Sequence, residues 1–168
     1  GATLAAEAFE RILSTLRLPR LLSTYGMTEN TVSTTFNGWG DPPDACRQNM
    51  APVITEGAVK IVDPETLRDA APEAEGEIWC SGPTVMLGYY KQPDATAQAV
   101  TKDVWLRTGD LGRFTAEGFL RITGRIKDII KVGGTNVAPA EVESVLQRSP
   151  GVDFAVVVGV PHERLGEV

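Results

Sequence analysis

Two adjacent glycines, Gly133 and Gly134, sit inside the alternating stretch KDIIKVGGTNV and most constrain how this chain can fold. A two-residue reversal between strands needs backbone angles that residues with a Cβ avoid, so the pair predicts a hairpin with its tip at these glycines. A helix signal follows at once. APAEVESVLQRSPG carries a proline in its first turn and Gly151 after its end. VDFAVVVGVP then reads as a buried strand. The order is a β–β–α–β unit. Arg125, Lys127, Asp128 and Lys131 surround its first strand. Alternation would put Lys127 and Ile129 on one face and Asp128 and Ile130 on the other. Such charges either guard a solvated hairpin edge or form a charged hinge beside an anionic ligand.

The chain before this unit changes period once. TLAAEAFERILSTL, residues 3–16, spaces Leu4, Phe9, Ile12, Leu13 and Leu16 as an amphipathic helix that Pro19 ends. RLLSTYGMTENT reads as a short strand running into a glycine turn. Residues 37–52, rich in Gly, Pro, Asn and Asp, read as loop. From GAVKIVDPETL onward alternation predicts strands, two of them joined by the acidic loop DPETLRDAAPEAEG. A short helix after Pro93, capped by Asp94, leads to a strand ending at TGD. TAEGFLRITGR is a further hairpin, turning between Phe114 and Phe119.

Composition excludes several classes. A net charge of −6 argues against binding a nucleic-acid backbone through a basic face. Two cysteines, Cys46 and Cys80, with no CxxC and a single histidine, give neither a zinc site nor a disulfide scaffold. Cys80, within EIWCSG, reads as a small buried residue. The longest apolar run is far too short for a membrane span, and no secretory leader is visible, which predicts a cytoplasmic protein.

Three short motifs offer chemistry. In STYGMTENT, Thr28 and Glu29 place a hydroxyl beside a carboxylate after Gly26, oxygen ligands suited to a Mg²⁺ that keeps waters and phosphate oxygens. In RTGDLGRF, Asp110 follows a glycine at a strand end, where a carboxylate accepts hydrogen bonds from a ribose diol. GRIKDIIKVGG is the third. Each alone is equally a polar turn or a charged strand edge. Their order and spacing make a specific series.

With that series the chain resembles the adenylate-forming superfamily of acyl- and aryl-CoA synthetases, peptide-synthetase adenylation domains and luciferases. YGMTE, GEIWCSGPTVMLGYYKQPDAT, WLRTGDLGRF, GFLRITGRIKDIIKVGGTNVAPAEVE and VVVGVPHERLGE carry it, in family order. The KVGGTNVAPAEVE stretch is closer to the CoA-ligase branch. The resemblance implies an α+β fold: the β-rich end of a large N-terminal domain, with distorted barrel-like hairpins, over residues 1–126, then the truncated start of a small α+β C-terminal domain over 127–168. It implies activation of a carboxylic acid with ATP and Mg²⁺ to an acyl-adenylate and pyrophosphate, then thioester formation with CoA, with fatty acid metabolism as one setting. A non-catalytic nucleotide-binding or interaction module that keeps part of the fold is the alternative.

By the same resemblance Gly1 and Ala2 lie beside the adenine, and Tyr25 and Gly26 line the adenine and acyl pocket. Thr28 contacts phosphate, Glu29 holds Mg²⁺, Asp110 grips the ribose hydroxyls and Arg125 assists at ribose or phosphate. Lys127 is the hinge about which the small domain rotates. Lys131 joins the active site for thioester formation, and Gly133 and Gly134 border the CoA tunnel. The family's Gly/Ser/Thr-rich phosphate loop belongs upstream of YGMTE and its adenylation lysine downstream of VVVGVPHERLGE. The sequence therefore reads as an internal third of a longer enzyme, inactive alone. Edges that the remainder would cover should drive dimers or element swapping. Light scattering at high concentration is expected to show mass above the monomer, and a strictly monomeric species would refute this.

Overall fold

A computed structural model describes residues 6–31, 33–47, 50–55 and 58–168. Gly1, Ala2 and the first residues of the predicted N-terminal helix lie outside them. The chain parts into two compact units. One holds the residues up to Thr108 with Gly112–Ile122, the other Gly109–Leu111 with Thr123–Val168.

In the first unit, helix α1 (Ala6–Leu16) turns its apolar stripe inward and buries Phe9. It stops at Arg17, which adopts φ 51°, and the Leu18 N–H closes the end on Leu13 O at 3.0 Å. Pro19 thus follows a stop already made by the backbone. Strands β1 (Thr24–Tyr25) and β2 (Thr35–Phe36) pair antiparallel. The predicted loop over 37–52 contains helix α2 (Pro43–Arg47) and strand β3 (Met50–Ala51). Buried Asn37 donates to Met50 O at 3.0 Å and ties the two ends of that segment together.

Strand β4 (Val59–Val62) pairs antiparallel with β5 (Gly76–Cys80), with Val59 opposite Cys80 and Val62 opposite Glu77. The acidic loop between them opens on Asp63. Its carboxylate accepts the backbone N–H groups of Thr66 and Glu65, which favour the charged form and hold its pKa below the ordinary value. Helix α3 (Pro93–Ala99) starts with proline in its first turn. Gln92, not Asp94, stands at its cap, and Asp94 lies inside the first turn. Its charge there meets the positive end of the helix dipole. Strand β6 (Leu106–Phe114) runs on past Thr108-Gly109-Asp110, where the sequence predicts its end. A tight turn, with Gly118 N–H on Thr115 O at 2.9 Å, leads to β7 (Leu120–Arg125).

The sheet order is β3-β7-β6-β5-β4. It is open, with β3 and β4 at its edges, so these hairpins bend without closing a barrel. All five residues of β5 are buried. One face packs Val59, Ile61, Ile78, Cys80, Leu106 and Leu120 together. The other carries a ladder of cations and rings. Lys60 lies 5.2 Å from the Trp79 ring centroid and 4.8 Å from that of Trp105, and Arg107 lies 5.5 Å from Trp79. Buried Glu77 accepts the Trp79 indole N–H at 2.8 Å and pairs with Arg107 at 3.5 Å.

In the second unit, β8 (Ile130–Val132) and β9 (Thr135–Val137) form the predicted hairpin. Gly133 and Gly134 take φ 57° and 89°, the left-handed pair that a two-residue hairpin requires. Helix α4 (Pro139–Leu146) follows with proline in its first turn. Strands β10 (Pro161–His162) and β11 (Gly166–Glu167) complete a sheet of order β10-β11-β8-β9. VDFAVVVGVP is not the buried strand its pattern predicts. Residues 154–160 carry no strand assignment, and Phe154 and Val158 are 77% and 69% exposed. The alternation is real, but a buried strand needs neighbours on its ladder. Here Val157 N–H finds the Glu143 carboxylate at 2.9 Å, and among the described residues Val160 makes a reciprocal backbone pair with Val168. Among the described residues no helix is long and apolar enough to cross a membrane.

Because Ile78 is fully buried at the centre of the first unit's core, Ile78→Ala is expected to lower the unfolding free energy by about 3 kcal/mol, read from urea titration.

Candidate functional site

The Tyr25–Thr31 segment leaves β1 and turns at once. Residues Thr28–Asn30 form a single 3-10 turn that ends on Thr31 in the left-handed region, φ 49°. A β-branched residue there is strained and persists only if its surroundings fix it. They do so through the 84–86 stretch. The Thr31 hydroxyl donates to Thr84 O at 2.8 Å, and Met86 N–H donates to Glu29 O at 2.8 Å. Buried Asn30 accepts the Thr84 hydroxyl at 2.7 Å and donates to the Thr34 hydroxyl at 2.6 Å. The turn is therefore clamped from a stretch more than fifty residues away in sequence.

This clamp leaves the Thr28 side chain exposed and Glu29 partly exposed, side by side. The Tyr89 hydroxyl donates to Glu29 Oε1 at 2.9 Å. That bond to the carboxylate, then slight desolvation of the exposed ring, then the carboxylate's charge, raise the phenol's pKa above its ordinary value of 10.0. No group of three or more His, Cys, Asp and Glu gathers among the described residues. One carboxylate and one hydroxyl do not make a protein-only metal cage. They do fit a Mg²⁺ that keeps most of its water and phosphate ligands.

In the second unit lies a separate pair of candidates, Asp110, which follows a glycine within β6, and Arg125. Gly109 takes φ 71°. A side chain is rarely tolerated there, so the glycine lets β6 kink and sets Asp110 beyond the kink. Asp110 is 5% exposed, and the Arg125 Nε–H donates to its Oδ1 at 2.7 Å. A buried carboxylate costs little when a guanidinium satisfies it, and the pairing fixes its rotamer. Two positions singled out by spacing, Asp110 and Arg125, are thus brought into direct contact across fifteen residues.

The remaining expected residues sit apart from that pair's hydrogen bonds. Lys127 lies in a 3-10 turn, Ile126–Asp128, and its side chain is exposed. The strand begins only at Ile130, so alternation does not govern residues 126–128 and the two-face reading of Lys127 and Asp128 is replaced by a turn. Lys131 is exposed on β8, and its backbone N–H donates to Glu167 Oε2 at 2.9 Å. Gly133 N–H donates to Leu165 O at 2.8 Å, and both hairpin glycines are exposed. Tyr25 and Gly26 are partly buried beside the Thr28 turn. Gly1 and Ala2 lie outside the described residues. Tyr89 and Thr84 carry no sequence signal for their contacts, because each meets the Thr28 turn only through tertiary folding.

A family model described as AMP-binding enzyme matches residues 1–90. The chain is 36% identical over its full length to the 4-coumarate--CoA ligase-like 6 protein of Oryza sativa subsp. japonica, of which it covers 28%. Its fold matches that of ATP-bound MatB from Rhodopseudomonas palustris with a TM-score of 0.89 and 33% identity, over 99% of this chain and 32% of MatB. It also matches the o-succinylbenzoate CoA synthetase from Bacillus subtilis in complex with its acyl-adenylate, with a TM-score of 0.79 and 30% identity. That match covers all of this chain and 34% of the synthetase. The chain spans about a third or less of the length of such relatives.

The Tyr89 contact has a titration consequence. A phenol with a raised folded value adds stability that is complete below the unfolded value and is lost as pH rises through the folded one. Glu29→Ala removes both the acceptor and its charge, and is expected to move one tyrosine titration down towards the ordinary value, read as phenolate absorbance near 295 nm. An unmoved curve would show that the carboxylate does not hold this phenol.

Proposed function

The chain belongs to the AMP-binding enzyme family, and on that premise we propose that its residues form part of an ATP-dependent acyl-CoA synthetase. The observation that carries the reading is the Asp110–Arg125 pair: a buried carboxylate, oriented by a guanidinium at 2.7 Å, set just after a kink in β6. Such a carboxylate is held ready to accept hydrogen bonds from a ribose diol.

In the proposed reaction a carboxylate oxygen of the acid attacks the α-phosphorus of ATP, and the bond to pyrophosphate breaks. The sulfur of CoA then attacks the carbonyl carbon of the acyl-adenylate, and AMP leaves with the electrons of the broken C–O bond. Both steps develop charge that positioned groups stabilise. Thr28 offers a hydroxyl to phosphate. Glu29 holds Mg²⁺, which offsets phosphate charge when bound. Tyr25 and Gly26, with Gly1 and Ala2, line the adenine and acyl side. Asp110 binds the ribose hydroxyls and Arg125 orients it. Lys131 and the Gly133-Gly134 tip serve thioester formation near CoA. Lys127, exposed in its 3-10 turn, is the hinge between a region over 1–126 and one over 127–168. A hinge of this kind needs only a few residues whose dihedrals change. The acid is left open between fatty and aryl classes. A cytoplasmic setting suits Cys46 and Cys80, two buried cysteines outside any disulfide.

The test is AMP binding by titration calorimetry. Asp110→Asn keeps the side chain's shape and weakens its acceptance from two hydroxyls. It is expected to reduce AMP affinity roughly 10-fold, the scale of a hydrogen bond to a charged acceptor. Equal affinity in the variant, or no AMP binding by the parent chain, would remove the ribose role from Asp110.

A further inference from the structure

We propose that Tyr89 sets the metal preference of the nucleotide site by making Glu29 a one-oxygen ligand. The inference rests on the reading of Glu29 as the residue that holds the nucleotide's divalent cation. It concerns a residue to which neither the spacing of motifs nor that reading gives a role.

Tyr89 is not a loosely placed surface ring. Its backbone N–H donates to the Thr96 hydroxyl at 2.9 Å, and that hydroxyl donates in turn to Gln92 O at 2.9 Å. The chain before it passes so close to α3 that a Cβ on Gly88 would come within 2.7 Å of the Thr96 methyl. The phenol is therefore presented from the first turn of α3. Glu29 is held from the other end as well, because its carbonyl accepts the Met86 N–H at 2.8 Å. Segment 84–89 thus grips Glu29 by its backbone and by Oε1 of its side chain. No partner of Oε2 occurs among the described residues.

A carboxylate with one oxygen bound to a phenol offers its second oxygen to a cation. Each oxygen has two acceptor sites, so chelation through both confines the phenol to the outer side of Oε1 and crowds that hydrogen bond. Mg²⁺ takes one oxygen from a carboxylate, demands an octahedron and keeps several waters. Ca²⁺ accepts more oxygens at longer distances and readily takes a carboxylate through both. Held this way, Glu29 suits the smaller ion and makes the two-oxygen contact with the larger one less favourable. Removing the hydroxyl frees Oε1 and lifts that restriction.

The test compares ATP affinity of this chain in saturating Mg²⁺ and in saturating Ca²⁺, at equal ionic strength, by titration calorimetry. The parent chain is expected to bind ATP more tightly with Mg²⁺. Tyr89→Phe should narrow the Mg²⁺-to-Ca²⁺ affinity ratio by roughly 5-fold, the scale of one partly exposed hydrogen bond. A purely structural role would weaken binding with both ions equally, so an unchanged ratio overturns the assignment of Tyr89 and leaves the nucleotide site standing. No ATP binding by the parent chain with either ion would overturn the Glu29 reading itself, and this inference with it. Glu29→Gln keeps an acceptor for Tyr89 and removes the ligand charge. Its loss of metal-dependent binding together with a narrowed ratio in Tyr89→Phe is the supporting result.

Discussion

The complete burial of β5 is the constraint on which the rest of the first unit depends. Gly76–Cys80 has every residue inside, so both faces of this strand must be covered by its own neighbours. Ile78 and Cys80 supply the apolar side, where they meet Val59, Ile61, Leu106 and Leu120. Glu77 and Trp79 lie on the opposite side, and neither could be buried there unpaired. Arg107 and the indole N–H satisfy the glutamate, while Lys60 stacks between two tryptophans. The close approach also dictates two glycines. A Cβ at Gly76 would meet Val62 O at 2.5 Å, and one at Gly112 would meet Arg121 O at 2.6 Å.

That rigid strand delivers the segment that shapes the site. Directly beyond Cys80 the chain passes through Thr84, Met86 and Tyr89, and these three groups fix the Thr28 turn. Thr31 remains in its strained left-handed conformation because its hydroxyl and its neighbour Asn30 are both tied to Thr84. Strain of this kind survives only where hydrogen bonds on several sides leave the backbone no cheaper alternative. The exposed Thr28 and partly exposed Glu29 are thus presented by a scaffold, not by a free loop.

The two principal carboxylates are handled in opposite ways. Asp110 is buried and paired with a guanidinium, which fixes its rotamer. Glu29 is partly exposed and is oriented by the hydrogen bond from the Tyr89 phenol. In the proposed roles, a carboxylate that accepts from hydroxyl groups gains from fixed geometry, and one that meets a cation gains from having no other cation beside it.

The sequence by itself determined the local reversals and the motif positions. Gly133-Gly134 fixed a hairpin because only left-handed angles close a two-residue turn. Pro93 marked the start of α3 though not its cap, proline in the first turn placed α4, and the Glu-Gly turn between Phe114 and Phe119 placed the reversal before β7. It also placed Thr28, Glu29, Asp110 and Arg125 as candidates, since their residue types and order are written along the chain. Only the tertiary structure decided what depends on neighbours. Alternation in VDFAVVVGVP described an extended chain but could not supply the ladder that would bury it, and Phe154 and Val158 stand in solvent. Period two across Lys127 and Asp128 gave way to a 3-10 turn. The hydrogen bond from Tyr89 to Glu29 joins residues sixty positions apart. No local pattern encodes it, because the distance between those side chains is set by how β5 packs and where its following segment is led.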